Sequence, residues 1–235
     1  MKKIFDLSHW NWPNGVNIQP LIDYGAAGLI FKATQGTWYK DPTVDEAVYQ
    51  SKNAGIPYNL YHFLDPIQDG MQDGNQQFEF FMDSTVNLRS DVTNMLDGEW
   101  QGDLIRMEYT VLVLDFLTAA GNNFSILYSN LNFLNNIILQ PDDIASHADI
   151  MLAWPVPSAL EPRYPIHYPK SKVPLWQKSW TYRVPGMDDP TIDMSVVLDD
   201  DWFQRTWKPS PTTIYPVSIE VPKSADTIQV SIIRI

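Results

Sequence analysis

The sequence contains no cysteine among its 235 residues. Disulfide bonds, thiolate metal sites and a cysteine nucleophile are therefore excluded. Basic residues are also scarce, because 16 Lys and Arg stand against 28 Asp and Glu, which gives a formal net charge of −12. This charge argues against nucleic acid or an anionic membrane surface as the main partner, since binding to phosphate depends on Lys and Arg.

Long hydrophobic runs are missing as well. The amino end begins like a signal peptide with two lysines, but Asp6, Ser8 and His9 interrupt it before an apolar segment can form. No stretch is long enough to span a bilayer. The sequence therefore predicts no membrane insertion, and either a soluble cytoplasmic product or one that has been trimmed.

Aromatic residues, in contrast, are abundant, with 9 Trp and 11 Tyr. Aromatic rings at the edge of a cleft provide flat apolar platforms with a polar edge, which suits sugar rings. Most of these residues are nevertheless expected to pack half-buried. With 44% hydrophobic residues, the chain can bury one large core.

Strand-like apolar runs alternate with helical patterns along the chain. The strands are expected to begin near Lys2, Gly28, Ile56, Val92, Phe124, Ile150, Val173 and Ile192. Helices are expected over residues 42–54, 71–87, 104–120 and 131–139. About eight strands with such connections predict an α/β fold, an irregular TIM-like β/α barrel over residues 1–207 with a mostly parallel sheet. Helices should be missing or replaced between Trp154 and Val197.

The segment Met95-Leu96-Asp97-Gly98-Glu99-Trp100 ends an apolar run with two acids. Because strand side chains alternate between faces, Asp97 and Glu99 should leave the same face with Cα atoms about 6 to 7 Å apart. One acid can then stay ionised while the other, beside Trp100, keeps its proton near neutral pH. An acidic turn that only faces solvent is the alternative.

Other polar and aromatic residues lie at the predicted carboxyl ends of strands. They are Asp6, Lys32, Tyr61, His62, Asp97, Glu99, Tyr128, Trp176 and Asp193. Active sites of β/α barrels form at this end of the barrel. The sequence therefore predicts that these residues meet in one cleft.

Seven short motifs follow one another in a recognisable order. They are Asp6-Leu7-Ser8, Phe31-Lys32-Ala33-Thr34, Tyr61-His62-Phe63, Leu96-Asp97-Gly98-Glu99, Leu127-Tyr128-Ser129, Trp176-Gln177 and Ile192-Asp193. In this order they resemble glycoside hydrolase family 25, the Chalaropsis-type lysozymes that include many phage endolysins. The resemblance covers about residues 3–207. It implies an irregular β/α barrel that hydrolyses the β-1,4 bond between N-acetylmuramic acid and N-acetylglucosamine in peptidoglycan.

One position departs from the family pattern. The family usually has Glu after Lys-Ala-Thr, where this chain has Gln35. The departure leaves open what that carboxylate contributes to charge or substrate binding. Asp6, Asp97, Glu99 and Asp193 are intact, so activity is still expected.

The resemblance implies a role for each acid. Glu99 is expected to be the general acid that protonates the leaving oxygen, with Asp97 as its ionised partner. Asp97 could stabilise the transition state, orient the substrate's N-acetyl group as a nucleophile, or activate water. Asp6 and Asp193 are expected to hold this pair, or to serve only loop hydrogen bonding.

Substrate contacts are expected from a second group of residues. They are Tyr61, His62, Lys32, Tyr128, Trp176, Gln177, Trp154 and Trp10. A buried histidine at position 62, a structural salt bridge at Lys32, and packing roles for Trp10 and Trp154 are the alternatives. The resemblance implies no cofactor and no metal. A metal-dependent hydrolase using the acids and His62, and a non-catalytic sugar-binding or phage structural protein, are the competing functions.

The carboxyl end lies outside the resemblance. Residues 208–212 predict a stiff linker, and residues 213–235 a short β-hairpin tail. A lone hairpin is marginal in water, so the tail should dock on the barrel, form a homo-oligomer, or be the remainder of a wall-binding module. A phage enzyme of this kind would be made in the cytoplasm of a bacterial host and act on the cell wall after release.

Overall fold

The computed structural model describes residues 1–66, 73–90, 92–188 and 191–207. Its strands are β1 (Lys3–Leu7), β2 (Gly28–Gln35), β3 (Tyr39–Lys40), β4 (Tyr58–Phe63), β5 (Asn94–Asp97), β6 (Phe124–Asn130), β7 (Asp149–Ala153), β8 (Leu175–Tyr182) and β9 (Ile192–Val197). Its α-helices are α1 (Gln19–Asp23), α2 (Val44–Ala54), α3 (Gly74–Thr85), α4 (Arg106–Ala120), α5 (Pro141–His147) and α6 (Asp200–Thr206). None of the helices in these ranges is long and apolar enough to cross a membrane.

Eight strands close into a barrel in the order β1-β9-β8-β7-β6-β5-β4-β2, and the pairing of β1 with β2 completes the ring. The short β3 is added to β2 outside this ring. Neighbouring strands are parallel except at β9, which runs antiparallel to both β8 and β1. The predicted irregular TIM-like barrel is confirmed.

Apolar side chains fill the interior of the barrel toward the amino ends of the parallel strands. The interior cluster includes Ile4, Ile30, Met95, Ile126, Met151, Leu175 and Val197, together with Trp202, Phe203 and Trp207 at the end of the described chain. A Cβ atom at Gly28 would lie 2.3 Å from the Trp207 ring, so only glycine admits this contact. Helix α6 thus closes the floor of the barrel.

A larger apolar cluster surrounds the barrel, between the outer face of the strands and the helices. Phe116 and Phe81, from α4 and α3, pack edge-on against Phe124 with ring centres 4.8 and 4.7 Å apart. Side chains of one strand therefore alternate between the floor cluster and this outer layer, which decides which residues can reach the cleft.

Two elements, α5 and β3, were not predicted from the sequence. The helix predicted over residues 131–139 is present in shorter form over residues 131–137, where Phe133–Ile137 is a π-helical turn. Between β7 and β9, the one helical element among the described residues is the 3₁₀ turn Lys170–Lys172, in agreement with the predicted loss of helices. The predicted linker and hairpin tail lie outside the described residues.

Candidate active site

Alternation along the strands builds a polar layer above the apolar floor. The floor residues Ile4, Ile30, Met95, Ile126 and Leu175 are each followed two positions later by Asp6, Lys32, Asp97, Tyr128 and Gln177. Residues two apart in a strand share a face, so the second set also points into the barrel. It lies one layer nearer the carboxyl ends of these strands.

Asp193 reaches this layer from the opposite direction. It lies directly across from Asp6 in the antiparallel pairing of β1 with β9. The expectation that Asp193 follows the carboxyl end of a strand is therefore wrong, because it is the second residue of β9. Since β9 is reversed, its amino end lies at the mouth of the barrel beside Asp6.

The turn that carries Glu99 is fixed by its backbone. Strand β5 ends at Asp97, and the N–H of Gly98 donates to the carbonyl oxygen of Tyr128 at 2.9 Å. A Cβ atom at Gly98 would lie 3.1 Å from the hydroxyl oxygen of Tyr109. The space beside this glycine is therefore occupied by the protein's own side chains, and Glu99 projects from a constrained turn.

The crowding of carboxyl groups changes their acidity. Burial, followed by repulsion from Glu99 and Asp6, raises the pKa of Asp97 well above its ordinary value. Burial, followed by repulsion from Asp193 and Glu99, does the same to the pKa of Asp6. Burial also raises the pKa of Glu99, although a hydrogen bond with Tyr128 opposes this rise. The site therefore retains protons at a pH where ordinary carboxyl groups are ionised.

Asp97 and Glu99 are not equivalent within the cluster. Asp97 is 7% exposed, and its Oδ1 has no hydrogen-bond partner among the described residues, whereas Glu99 is partly exposed and interacts with Tyr128. Burial raises the pKa of both groups, and repulsion from Glu99 and Asp6 adds to the rise at Asp97. That Glu99 holds the proton stays a prediction. Because the two groups interact, the proton belongs to the pair.

Lys32 brings a positive charge to these acids. Its ammonium group donates to Oε1 of Gln35 at 2.8 Å, and Nε2 of Gln35 donates to Oδ2 of Asp65 at 3.1 Å. Burial lowers the pKa of Lys32, and the surrounding carboxylates, led by Asp97, act in the opposite direction. Lys32 also lies 4.9 Å from the ring centre of Phe63.

Gln177 connects three groups around the cleft. Its Oε1 accepts hydrogen bonds from the Tyr128 hydroxyl at 2.9 Å and from Nε1 of Trp180 at 2.6 Å. Its Nε2 donates to Oδ2 of Asp193 at 3.3 Å. Because Gln177 is only 1% exposed, it is placed to orient its neighbours, and the predicted direct contact with substrate is corrected.

His62 lies on the outer face of the barrel. Its ring nitrogens are 2.8 Å from Oγ1 of Thr34 and 3.0 Å from Oε1 of Gln77, and the ring stacks on Phe116. Burial lowers the pKa of His62 to about 4, so the ring is neutral at physiological pH. The predicted substrate contact is therefore corrected to a packing role, because the side chain that faces the barrel interior is that of the preceding Tyr61.

Trp176 also lies on the outer face. It is fully buried, and its Nε1 donates to the carbonyl oxygen of Trp154 at 2.7 Å. The predicted substrate contact is corrected here for the same reason, because the inward-facing side chain is that of Leu175. Trp154 is half-buried, with its ring centre 6.1 Å from that of Trp176.

Exposed tryptophans surround the mouth of the barrel. They are Trp10, Trp38, Trp100 and Trp180. Each lies in or just after the carboxyl end of a parallel strand, so all four are at the same end as the acids. Trp10 was predicted to contact substrate, and it is 77% exposed. Trp38 and Trp180 were not selected from the sequence, although their positions at the ends of β2 and β8 would have indicated them.

The loop that carries Trp10 is held by a buried aspartate. Asp41 is fully buried and accepts hydrogen bonds from the backbone N–H of His9 at 3.0 Å and of Thr43 at 2.9 Å. The Tyr39 hydroxyl lies 2.8 Å from Nδ1 of His9, and burial together with Asp41 raises the pKa of Tyr39 to about 12. This cluster was not recognised from the sequence because its members are separated along the chain.

A pair of neighbouring carboxyl groups, at the mouth of a barrel ringed by exposed tryptophans, is the arrangement expected of a glycoside hydrolase. In the described ranges, no group of three or more His, Asp or Glu side chains is arranged to hold a metal ion. The chain belongs to glycosyl hydrolases family 25, whose family model matches residues 5–187. Comparison with curated proteins gives no significant match.

Several solved structures share this fold. The CTP1L endolysin is 24% identical with a TM-score of 0.70, over 87% of this chain and 69% of that chain. The lysozyme from Streptomyces coelicolor is 21% identical with a TM-score of 0.71, over 84% and 92%. The muramidase from Acremonium alcalophilum is 18% identical with a TM-score of 0.69, over 87% and 97%. These similarities concern the fold.

Proposed function

We propose that this chain is an N-acetylmuramidase, a lysozyme that cleaves the β-1,4 bond between N-acetylmuramic acid and N-acetylglucosamine in peptidoglycan. The observation that carries this proposal is the meeting of Asp6, Asp97, Glu99 and Asp193 at the mouth of a family 25 barrel. Structural neighbours described as a lysozyme, a muramidase and an endolysin support the choice of substrate.

Glu99 is the proposed general acid. It is more exposed than Asp97, and its interaction with Tyr128 opposes the rise of its pKa. As the glycosidic bond breaks, positive charge develops at the anomeric carbon and favours the ionised form of the deeper Asp97. The proton of the pair is then delivered through Glu99 to the leaving oxygen.

Asp97 is the proposed ionised partner of Glu99. As a carboxylate it can stabilise the developing positive charge, orient the N-acetyl group of the substrate as an internal nucleophile, or activate the incoming water. Repulsion from Asp6 and Asp193 raises the pKa of Asp97 and so keeps a proton on the pair, while the positive charge of Lys32 lowers this pKa and favours release of the proton.

The products of wall digestion test the proposal. Purified peptidoglycan should gain reducing ends, and borohydride should convert these ends into muramitol, the alditol of muramic acid. Glucosaminitol would instead indicate cleavage on the other side of N-acetylglucosamine and would contradict the muramidase assignment. Binding to the wall without new reducing ends would favour a non-catalytic sugar-binding protein.

We further propose that the enzyme is a phage or prophage endolysin that acts on the wall after release from the host cytoplasm. The support is the resemblance to a family with many endolysins, together with the fold shared with the CTP1L endolysin. Bacteria that produce the protein inside the cell should stay intact until their membrane is permeabilised, and then lyse. Lysis without permeabilisation would contradict this route.

A further inference from the structure

Gln35 lies between a cation and a carboxylate at the edge of the cleft. Its Oε1 accepts from Nζ of Lys32 at 2.8 Å, and its Nε2 donates to Oδ2 of Asp65 at 3.1 Å. An amide offers both an acceptor for the ammonium group and a donor for the carboxylate, whereas an ionised carboxylate only accepts. The two partners therefore fix the orientation of the Gln35 side chain.

A glutamate at position 35 would change this arrangement although it has the same shape. Its second oxygen would face the Asp65 carboxylate across the 3.1 Å that a hydrogen bond now spans. It would also place a full negative charge 2.8 Å from the Lys32 ammonium group. The positive charge of Lys32 would then be offset within its own contact, and less of its field would reach the other acids.

The charge of Lys32 reaches the proposed catalytic group. Lys32 lowers the pKa of Asp97 and of Asp6, against the effects of burial and of the other acids. The ionisable groups that act on Lys32 from the surrounding elements are Asp97, Asp41, Asp6 and Asp65. The Tyr39 and Phe63 rings lie 5.5 and 4.9 Å from its ammonium group. Gln35 therefore contacts the cation whose field moderates the carboxyl cluster.

We propose that Gln35 is a positioning residue that holds Lys32 beside the site carboxyl groups without adding negative charge. The enzyme therefore works at lower pH than it would with glutamate at this position. The inference rests on the proposed function, because the pH range is that of glycoside hydrolysis. It assigns the departure from the family pattern to a change in electrostatics, with the fold unchanged.

The test is the pH dependence of kcat/KM for reducing-end release by wild type and Gln35→Glu. The acidic limb of the profile should move to higher pH by roughly 0.5 to 1 unit, because the added charge makes Asp97 harder to ionise. Gln19→Glu is the matched control, since Gln19 also donates to an aspartate, Asp23, at 2.7 Å but is exposed on α1. This control should leave the profile in place.

A titration that does not depend on activity separates the two proposals. Carbon-13 NMR of the Asp and Glu carboxyl groups should show the Asp97 signal titrating at higher pH in Gln35→Glu than in wild type. The role of Gln35 would be overturned if the acidic limb of the pH profile and the Asp97 titration both stayed unmoved, or if both moved to lower pH. Absence of reducing-end release by wild type, with the NMR shift present, would overturn the proposed function alone.

Discussion

Two acids separated by a single glycine have very different surroundings. Asp97 is the last residue of β5 and points into the barrel interior, while Glu99 stands on the following turn. Burial and repulsion therefore act more strongly on Asp97. The difference fits the proposed roles, in which Asp97 stabilises charge inside the cleft and Glu99 protonates the leaving group.

Asp97→Asn is expected to raise the thermal stability at neutral pH while it abolishes most turnover. The pKa of Asp97 in the folded protein lies well above its ordinary 3.8. The folded state thus binds this proton more tightly than the unfolded chain, and stability is lost as pH rises through the folded-state pKa. Thermal denaturation should show a higher Tm for the variant at about pH 7 and a smaller difference near pH 3.5. A variant with the lower Tm at neutral pH would contradict this.

His62→Ala tests the reassignment of His62 from substrate contact to packing. Loss of the stacked ring and of its two hydrogen bonds should cost roughly 2 to 4 kcal/mol of unfolding free energy, as for other buried truncations. KM for soluble wall fragments should stay unchanged at a temperature where the variant is folded. A raised KM with wild-type stability would restore the role predicted from the sequence.

At the scale of elements, the direction of β9 could not be deduced from hydrophobic alternation. The pattern Ile192-Asp193-Met194-Ser195 alternates equally well in either direction. The predicted loss of helices between Trp154 and Val197 was the useful signal, because a parallel pair needs a long crossover whereas an antiparallel pair needs only a loop. The reversal still brings Asp193 to the mouth of the barrel.

The helix predicted after β6 forms, but it is short and begins with a side-chain cap. Oδ1 of Asn130 accepts hydrogen bonds from the backbone N–H groups of Asn132 and Phe133 at 3.0 and 3.1 Å. In this way an asparagine satisfies the free N–H groups at the start of a helix. The segment is helical over residues 131–137 and ends in a π-helical turn, Phe133–Ile137.

Strand β8 places the exposed ring of Trp180 at the cleft, and we expect this ring to contact a sugar unit of the substrate. Trp180→Ala should raise KM for polymeric peptidoglycan roughly threefold to tenfold with a smaller change in kcat, which corresponds to the energy of one aromatic contact. Trp180→Phe keeps a ring but loses the hydrogen bond to Gln177, so it should recover most of the affinity. Leu160→Ala is the control, since Leu160 is 91% exposed. Equal KM values for all three variants and wild type would contradict this role.

At the scale of the whole molecule, the barrel and the position of its acids at one end were predictable, while three of the predicted substrate contacts, His62, Trp176 and Gln177, were not. Apolar runs and their spacing define strands, and parallel strands place their carboxyl ends together. His62 and Trp176 were assigned to the cleft because they lie near strand ends. Both side chains instead lie on the outer face of the barrel, because the residues that face the interior are the preceding ones, Tyr61 and Leu175.

The chain beyond the barrel is expected to act on binding or assembly. Removal of residues 208–235 should leave Tm and activity on soluble fragments unchanged, because the described barrel already has its floor closed by Trp202, Phe203 and Trp207. Oligomeric state on a sizing column, or wall binding in a pelleting assay, should change. Unchanged size together with unchanged wall binding would contradict this. Truncation before α6 is the comparison and should prevent folding.

The most direct test of the account is the rate at which wild type and Glu99→Gln release reducing ends from purified peptidoglycan. Glu99 is partly exposed, so the variant should fold with a Tm close to that of wild type. Its rate should fall at least about a hundredfold, because the proton donor for the leaving oxygen is lost. A folded variant that keeps a rate within about tenfold of wild type would contradict the assignment of Glu99 as the acid.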